Sequence, residues 1–262
     1  KLASLLDIFS VITFIYSLLN SKFTILSLFL FIILMIDIPS IFRAISLYYN
    51  FNMSIEIKRS AKPVEYNHAI RLMEKRIGKL LNNNGKELIW FLEHNTIYTA
   101  GTSFNQSDVL DKSIQIIKTS RGGKITCHSK GQLICYFVVD LSKRNKDIRK
   151  FIISLEKSII DTFKEFKIMS NSDRKNIGIW IKHKGEIKKI AAIGIKVKKW
   201  VAYHGFSINI NNNLNYFDKI VPCGINDKKV IRLKEISKIN FYEFRGVLEK
   251  NLIKNLSISN YS

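Results

Sequence analysis

Cysteine is scarce here: Cys127, Cys135 and Cys223 are the only three in 262 residues. The number is odd, the spacing is irregular and no Cys-x-x-Cys pair occurs. That excludes a disulfide framework and a thiolate zinc site. Free thiols fit a reducing compartment, so the expected location is the cytoplasm. No metal and no other cofactor is expected. Acidic residues are also few, 21 against 42 Lys and Arg, which leaves a net charge of +21. An excess of this size points to an anionic partner: nucleic acid, an acidic protein or a membrane surface. The chain is also rich in Lys, Ile, Asn and Phe, the residues of A/T-rich codons, so base composition is a second source of the same charge. Dense Lys/Arg blocks, zinc fingers and RNP-type aromatic signatures are missing, which argues against nucleic acid. Internal repeats are missing too, which removes repeat architectures. What is present, 47% hydrophobic and 24% charged residues, supports a globular core.

Composition changes near residue 52. Residues 1–52 carry a net charge of +1, and residues 53–262 a net of +20. From Ile8 to Ile36 the only charged residue is Lys22. The apolar run over residues 23–36 is short of the roughly 20 residues a membrane-crossing helix needs. Joined to residues 8–20 it would make one long span or a tight hairpin. A cleaved signal peptide fits poorly, because no small-residue cleavage site follows. Two readings of this apolar extension stand: a membrane anchor, or upstream sequence foreign to the native protein. Met53 directly precedes Ser54-Ile55-Glu56-Ile57-Lys58, where globular patterning begins, and is the expected native start. Membrane association is expected only if residues 1–52 are native. The expected organisation is this extension followed by one domain over residues 53–262.

From residue 53 onward the elements alternate. Pro63 suits the first turn of a helix. Ala69, Ile70, Met73, Ile77, Leu80 and Leu81 recur at helical spacing, and Asn82-Asn83-Asn84-Gly85 ends the run. Residues 87–93 read as a strand. Residues 132–141 read as another, apolar enough to be buried on both faces. Ile148, Phe151, Ile152, Leu155, Ile159, Phe163 and Phe166 mark a second amphipathic helix. Residues 176–182, 188–196 and 200–210 read as strands, with a turn at His183-Lys184-Gly185-Glu186. Residues 241–256 form a closing helix. The expected class is α+β, a mixed sheet flanked by helices.

Two segments could carry chemistry. Cys223 lies between Pro222 and Gly224. A thiol needs a nearby base or positive charge to ionise at neutral pH, and Lys189 in Lys189-Ile190-Ala191-Ala192-Ile193-Gly194 could supply both. Read alone, that lysine is one solvated cation among many, and the cysteine a small buried hydrophobe. In Arg121-Gly122-Gly123-Lys124-Ile125-Thr126-Cys127-His128-Ser129-Lys130-Gly131-Gln132, the adjacent glycines let backbone N–H groups approach a ligand. Arg121 could hold a carboxylate or phosphate, and His128 could polarise a carbonyl. Read alone, the glycine pair is a turn. His128, and His204 in Tyr203-His204-Gly205-Phe206, are then structural histidines.

Taken together and in order, Arg-Gly-Gly-x-x-Thr-x-His-x-x-Gly-Gln, Lys-Ile-Ala-Ala-Ile-Gly, Tyr-His-Gly-Phe and Pro-Cys-Gly resemble the lipoyl(octanoyl) transferase family, also called lipoate-protein ligase B. The resemblance runs from about Ile55 to about Ile231 and leaves out residues 1–52. It takes in Leu92-Glu93-His94, Tyr98-Thr99-Ala100-Gly101-Thr102 and Gly178-Ile179-Trp180-Ile181. It implies a biotin/lipoate protein ligase-like sheet core. It implies octanoyl transfer from octanoyl-acyl carrier protein to a lysine of lipoyl domains, those of 2-oxoacid dehydrogenase E2 subunits and of the glycine cleavage H protein. By position, Cys223 is implied as the nucleophile that holds the octanoyl thioester, and Lys189 as the group that lowers its pKa. Arg121, Gly122, Gly123, Lys124, Ile125, Thr126, Cys127 and His128 are implied on the substrate site. Ala192, Ile193, Gly194, His204, Gly205, Phe206 and Ser207 are implied there too. No metal is implied. The chain departs from the family's usual loop at Lys124 (glutamine), Cys127 (tyrosine) and Ser129-Lys130 (Gly-Pro), and Asn95 and Thr96 stand where prolines are common. Cys127 lacks the Pro-Cys-Gly setting and is expected to be a spectator thiol. An ATP-dependent lipoate ligase and a non-catalytic, membrane-tethered basic binding protein are the competing readings.

Overall fold

The computed structural model describes residues 55–174, 176–221 and 230–258. The apolar extension, Met53 and the Pro222-Cys223-Gly224 segment lie outside the described residues. A seven-stranded mixed sheet forms the centre. Its strands are β1 (Ile55–Arg59), β2 (Glu87–Leu92), β6 (Gln132–Asp140), β7 (Asn171–Ser172), β8 (Ile179–His183), β9 (Glu186–Lys198) and β10 (Val201–Asn209). They lie in the order β1-β2-β6-β10-β9-β8-β7. Only the β1–β2 pair is parallel. A second sheet holds β3 (Ile97–Ala100), β4 (Ile116–Lys118) and β5 (Ile125–His128), with β3 in the middle.

The central strands are buried on both faces, as their apolar runs require. Ile89, Phe91, Leu133, Cys135, Phe137 and Val139 face one core, with α2 (Ile148–Glu165) and α3 (Phe241–Ile258). Leu88, Trp90, Leu92, Ile134, Tyr136 and Val138 face the other, with α1 (Tyr66–Leu81). The period-2 alternation of β2 and β6 therefore feeds two cores at once. Between α2 and α3 runs a buried polar seam. Asn251 Nδ2 donates to Thr162 Oγ1 at 3.2 Å, and Asn255 Nδ2 to Ser158 Oγ at 3.3 Å.

Helix α1 starts at Tyr66 rather than at Pro63. The reason is Glu65, whose carboxylate accepts from the N–H groups of Asn67 (2.8 Å) and His68 (2.6 Å) and so caps the helix. Asn82 and Asn83 end it, Asn83 with φ +54°. The β8–β9 hairpin turns at Lys184 and Gly185, both with positive φ, and the β9–β10 hairpin turns likewise at Lys199 and Trp200. That is the two-residue turn whose twist matches antiparallel strands. Strand β8 begins at Ile179, later than the expected residue 176, because Asn176 folds back onto Asp173. The glycine-rich stretch after Arg121 is not wholly a loop: Ile125–His128 pairs with β3. Among the described residues no helix is long and apolar enough to cross a membrane.

The start of β2 is tied to the end of β6 by a buried ion pair. Arg144 donates to both Glu87 oxygens at 2.6 and 2.7 Å, and Glu87 also accepts from the Asp140 N–H at 2.8 Å. Deleting one member of such a pair costs more than the pair contributes, because the other charge stays buried. Glu87→Ala is expected to lower the unfolding free energy by about 3–5 kcal/mol in urea titration. A loss below about 1 kcal/mol would contradict this account.

Candidate active site

Strict alternation would put the Lys189 side chain on the helix-packed core face with Ala191 and Ile193. It goes the other way. Ile179 pairs with Ala191 but Trp180 pairs with Lys189, so Ile190 is the extra residue of a β-bulge. Ile190 and Ala191 both point into the α2–α3 core. The slip turns Lys189 onto the opposite face, where it lines a cavity of about 430 Å³. There Lys189 is only 6% exposed.

A second irregularity delivers His204. Its neighbours Ala202 and Phe206 face the core, but φ of +69° swings its imidazole into the cavity. The ring stacks on Tyr203 at 4.8 Å, and Nε2 lies 3.3 Å from Ser120 Oγ. The next residue must be glycine, since a Cβ on Gly205 would sit 1.8 Å from the Cys135 carbonyl oxygen. Beyond β8 the outer edge of β9 is taken by the Arg-Gly-Gly loop, where the Gly122 N–H donates to the Ile195 carbonyl at 3.0 Å. That donor is committed to holding the loop, so it is not an oxyanion donor. The Arg121 guanidinium bonds the Thr99 carbonyl (2.7 Å), the Thr99 hydroxyl (2.9 Å) and the Gly122 carbonyl (3.1 Å). It clamps the loop to β3 in the place where a ligand anion was expected.

Of the residues expected at a site, Lys189, Arg121, Gly122, Gly123, Lys124, Ile125, Thr126 and His128 all line this cavity. So do Ala192, Ile193, Gly194, His204, Gly205, Phe206 and Ser207. Cys127 does not. It packs with Tyr98, Phe217 and Ile220 in the core of the small sheet, and burial pushes its thiol up to about 12. Its expected place on the substrate site gives way to that of an inert core thiol. Cys223 lies outside the described residues, but the chain on both sides of its segment is anchored. The Val221 N–H donates to the Asp108 carbonyl at 2.8 Å. Val230 pairs with Lys189 itself, and the Ile231 N–H donates to the Lys189 carbonyl at 3.0 Å.

Residues 65–253 match the lipoyl protein ligase A/B catalytic domain. The chain is 42% identical over 205 residues to the octanoyltransferase of Anaplasma phagocytophilum, covering 77% of this chain and 99% of that one. It is 42% identical over 193 residues to the octanoyltransferase of Wolbachia pipientis wMel, covering 73% and 94%. The chain belongs to the octanoyltransferase family. Two solved structures share its fold. One is P. falciparum LipL1 in complex with lipoate, with TM-score 0.58, 19% identity, 77% of this chain and 62% of that one. The other is lipoate-protein ligase A bound with ATP, with TM-score 0.56, 13% identity, 77% and 84%.

Behind the cavity residues His128 and Tyr136 lies a buried polar network with fixed proton positions. The Val64 carbonyl can only accept, so His94 Nδ1, 2.6 Å away, carries the proton. His94 Nε2 is then an acceptor, and Tyr136 Oη–H donates to it at 2.9 Å. Gln132 Nε2 donates to Asn209 Oδ1 at 2.9 Å and the Cys127 carbonyl at 3.4 Å, which turns Gln132 Oε1 toward His128. His128 Nδ1 donates to that oxygen at 2.7 Å. The neutral ring therefore keeps Nε2 as an acceptor and has no N–H left to polarise a carbonyl, contrary to the role expected of it. Burial, with His94 next in weight, pushes His128 down to about 3. Burial, then the Arg121 charge, pushes His204 down to about 4, and burial lowers His94 as well. Tyr136 and Tyr66 are cavity residues that the sequence reading missed. A tyrosine in an otherwise apolar buried strand was a usable signal, since a buried phenol demands a partner.

These three histidines make the stability of the fold acid-sensitive. The unfolded chain takes up protons near pH 6.5, which the folded chain refuses until about 4 at His204 and about 3 at His128. The unfolded state thus binds more protons in this window, and stability falls as pH falls. Urea titrations from pH 7 to 5 are expected to lose stability with a slope of up to about 1.4 kcal/mol per pH unit per histidine. His128→Gln should flatten the profile. A wild-type stability that stays level from pH 7 to 5 would contradict the assignment.

Proposed function

We propose that this chain moves an octanoyl group from the thioester of octanoyl-acyl carrier protein to a lysine of a lipoyl domain, by way of a thioester on Cys223. The observation that carries the reading is the bulge at Ile190. It turns Lys189 into the cavity at the point where Val230, just beyond the cysteine segment, pairs with the same residue. A buried ammonium beside that segment favours the thiolate form of Cys223.

In the first half-reaction the Cys223 thiolate attacks the thioester carbonyl. The carrier's sulfur leaves as a thiolate and takes the proton of the Lys189 ammonium, which leaves Lys189 neutral. One thioester replaces another, so the exchange is nearly isoenergetic and needs no ATP. In the second half-reaction the neutral amine of the lipoyl-domain lysine attacks the Cys223 thioester. A C–N bond forms, the C–S bond breaks, and the sulfur returns to Cys223 as a thiolate. The proton lost by the amine passes to Lys189, then neutral, which restores its ammonium. Ala192 and Gly194 give the alkyl chain an apolar wall with little side-chain bulk to displace.

Residues 53–262 form the transferase domain in this reading, acting in the cytoplasm. The acceptors are the lipoyl domains of 2-oxoacid dehydrogenase E2 subunits and the glycine cleavage H protein. Its net charge of +20 suits acidic carrier and lipoyl domains, and should speed encounter more than it tightens binding.

The test is transfer from octanoyl-acyl carrier protein to an apo lipoyl domain with ATP absent. Octanoyl amide should form, and Cys223→Ser should abolish it. Transfer that appears only with ATP would overturn the proposal in favour of a ligase. Unchanged turnover in Cys223→Ser would overturn the thioester.

A further inference from the structure

We infer that Trp180 is a positioning residue for Lys189: its indole face holds the lysine ammonium on the cavity wall. The inference rests on the acyl-transfer role proposed for Lys189. It is carried by four observations on strands β8 and β9.

The Lys189 Nζ stands 4.8 Å from the centroid of the Trp180 ring. The two residues are direct cross-strand partners, in the register set by the β8–β9 turn and next to the bulge at Ile190. The ring is itself fixed. It is 4% exposed, and its Nε1–H donates to the Asn176 carbonyl at 3.0 Å. Gly178, with φ +141°, clears a path for the lysine stem, because a Cβ there would lie 2.6 Å from Lys189 Cε and 2.6 Å from the Ala191 carbonyl oxygen.

The chemistry explains why an aromatic face suits this place. A cation–π contact stabilises an ammonium without bringing a negative charge. A carboxylate would stabilise it too, but would cancel much of its field at a neighbouring thiol. An indole leaves the positive potential in place, which is what a depressed thiol pKa requires. Among the described residues, the other charged and titratable groups on the cavity wall are Arg121, Lys124, His128, His204, Tyr66 and Tyr136. Burial lowers both histidines and raises both tyrosines, so these four stay neutral from pH 6 to 9. On its own strand, Lys188 is paired with Glu186 at 2.9 Å.

The experiment is pH-dependent alkylation of Cys223, with steady-state transfer kinetics, in the full chain. The proteins compared are wild type, Trp180→Phe, Trp180→Leu and Lys189→Ala. Trp180→Leu should raise the alkylation pKa toward the Lys189→Ala value and lower turnover by about 2- to 30-fold, the range of one buried cation–π contact. Trp180→Phe keeps a ring face, loses the indole hydrogen bond, and should stay within about threefold of wild type. Trp180→Met, unbranched and without a ring, replaces Trp180→Leu if that variant does not fold. A wild-type thiol pKa in Trp180→Leu, with a raised one in Lys189→Ala, overturns the inference and leaves the role of Lys189 intact. Equal losses in Trp180→Phe and Trp180→Leu overturn it too, since bulk or the hydrogen bond would then be the cause. An unchanged pKa in Lys189→Ala removes Lys189 from its role and the inference with it.

Discussion

Between Ile179 and Trp180 the pairing of β8 with β9 slips by one residue, and the cavity wall depends on that slip. A regular strand would send Lys189 into the core that α2 and α3 pack against, where a charged group would be desolvated among aliphatic side chains. With the bulge, Ile190 and Ala191 both serve that core and Lys189 is released to the other face. Val230 then pairs with the bulged strand, which brings the far end of the cysteine segment to the lysine. Packing, charge placement and segment anchoring thus rest on one irregularity in one ladder.

Around it, small residues permit unusually close backbone approach. The Arg121-Gly122-Gly123 loop lies against β9 at Gly194, where a Cβ would be 3.1 Å from the Gly122 carbonyl oxygen. A Cβ on Gly101 would be 2.2 Å from the Gly123 carbonyl oxygen. The loop is held from below by the Arg121 guanidinium on Thr99 and from the side by the Ile195 carbonyl. The glycines and the arginine build the wall of the cavity, and the strand irregularities add Lys189 and His204 to it. The buried polar network extends the same economy. His94 and Tyr136 form one chain that ends on the Val64 carbonyl, and His128, Gln132 and Asn209 form another that ends on the Ile231 carbonyl. Each proton has one place to be, so these buried rings stay neutral and in register.

Much of this was legible in the sequence, for identifiable reasons. Helices α1 and α2 announced themselves by apolar spacing, and β6 by an apolar run that suits a strand buried on both faces. The order of the Arg-Gly-Gly, Lys-Ile-Ala-Ala, Tyr-His-Gly and Pro-Cys-Gly segments marked the family before any geometry was known. What alternation hides is which face a residue takes after a bulge or a left-handed turn. Nothing in Lys189-Ile190-Ala191 says that Ile190 is the extra residue, and nothing in Tyr203-His204-Gly205 says that His204 leaves the core. Both depend on tertiary pairing: Trp180 opposite Lys189, and the Cys135 carbonyl pressed on Gly205. The small sheet was missed for the same reason, because β5 pairs with a strand distant in sequence, inside a stretch whose glycines read as a loop.

The central claim is that Cys223 carries the acyl group between donor and acceptor. The most direct measurement is the intact mass of the protein after brief exposure to octanoyl-acyl carrier protein, with peptide mapping and a chase by apo lipoyl domain. One octanoyl group on Cys223, discharged by the chase at the rate of turnover, is the predicted result. An octanoyl group on another residue, or transfer with no acyl-enzyme formed, would contradict the account.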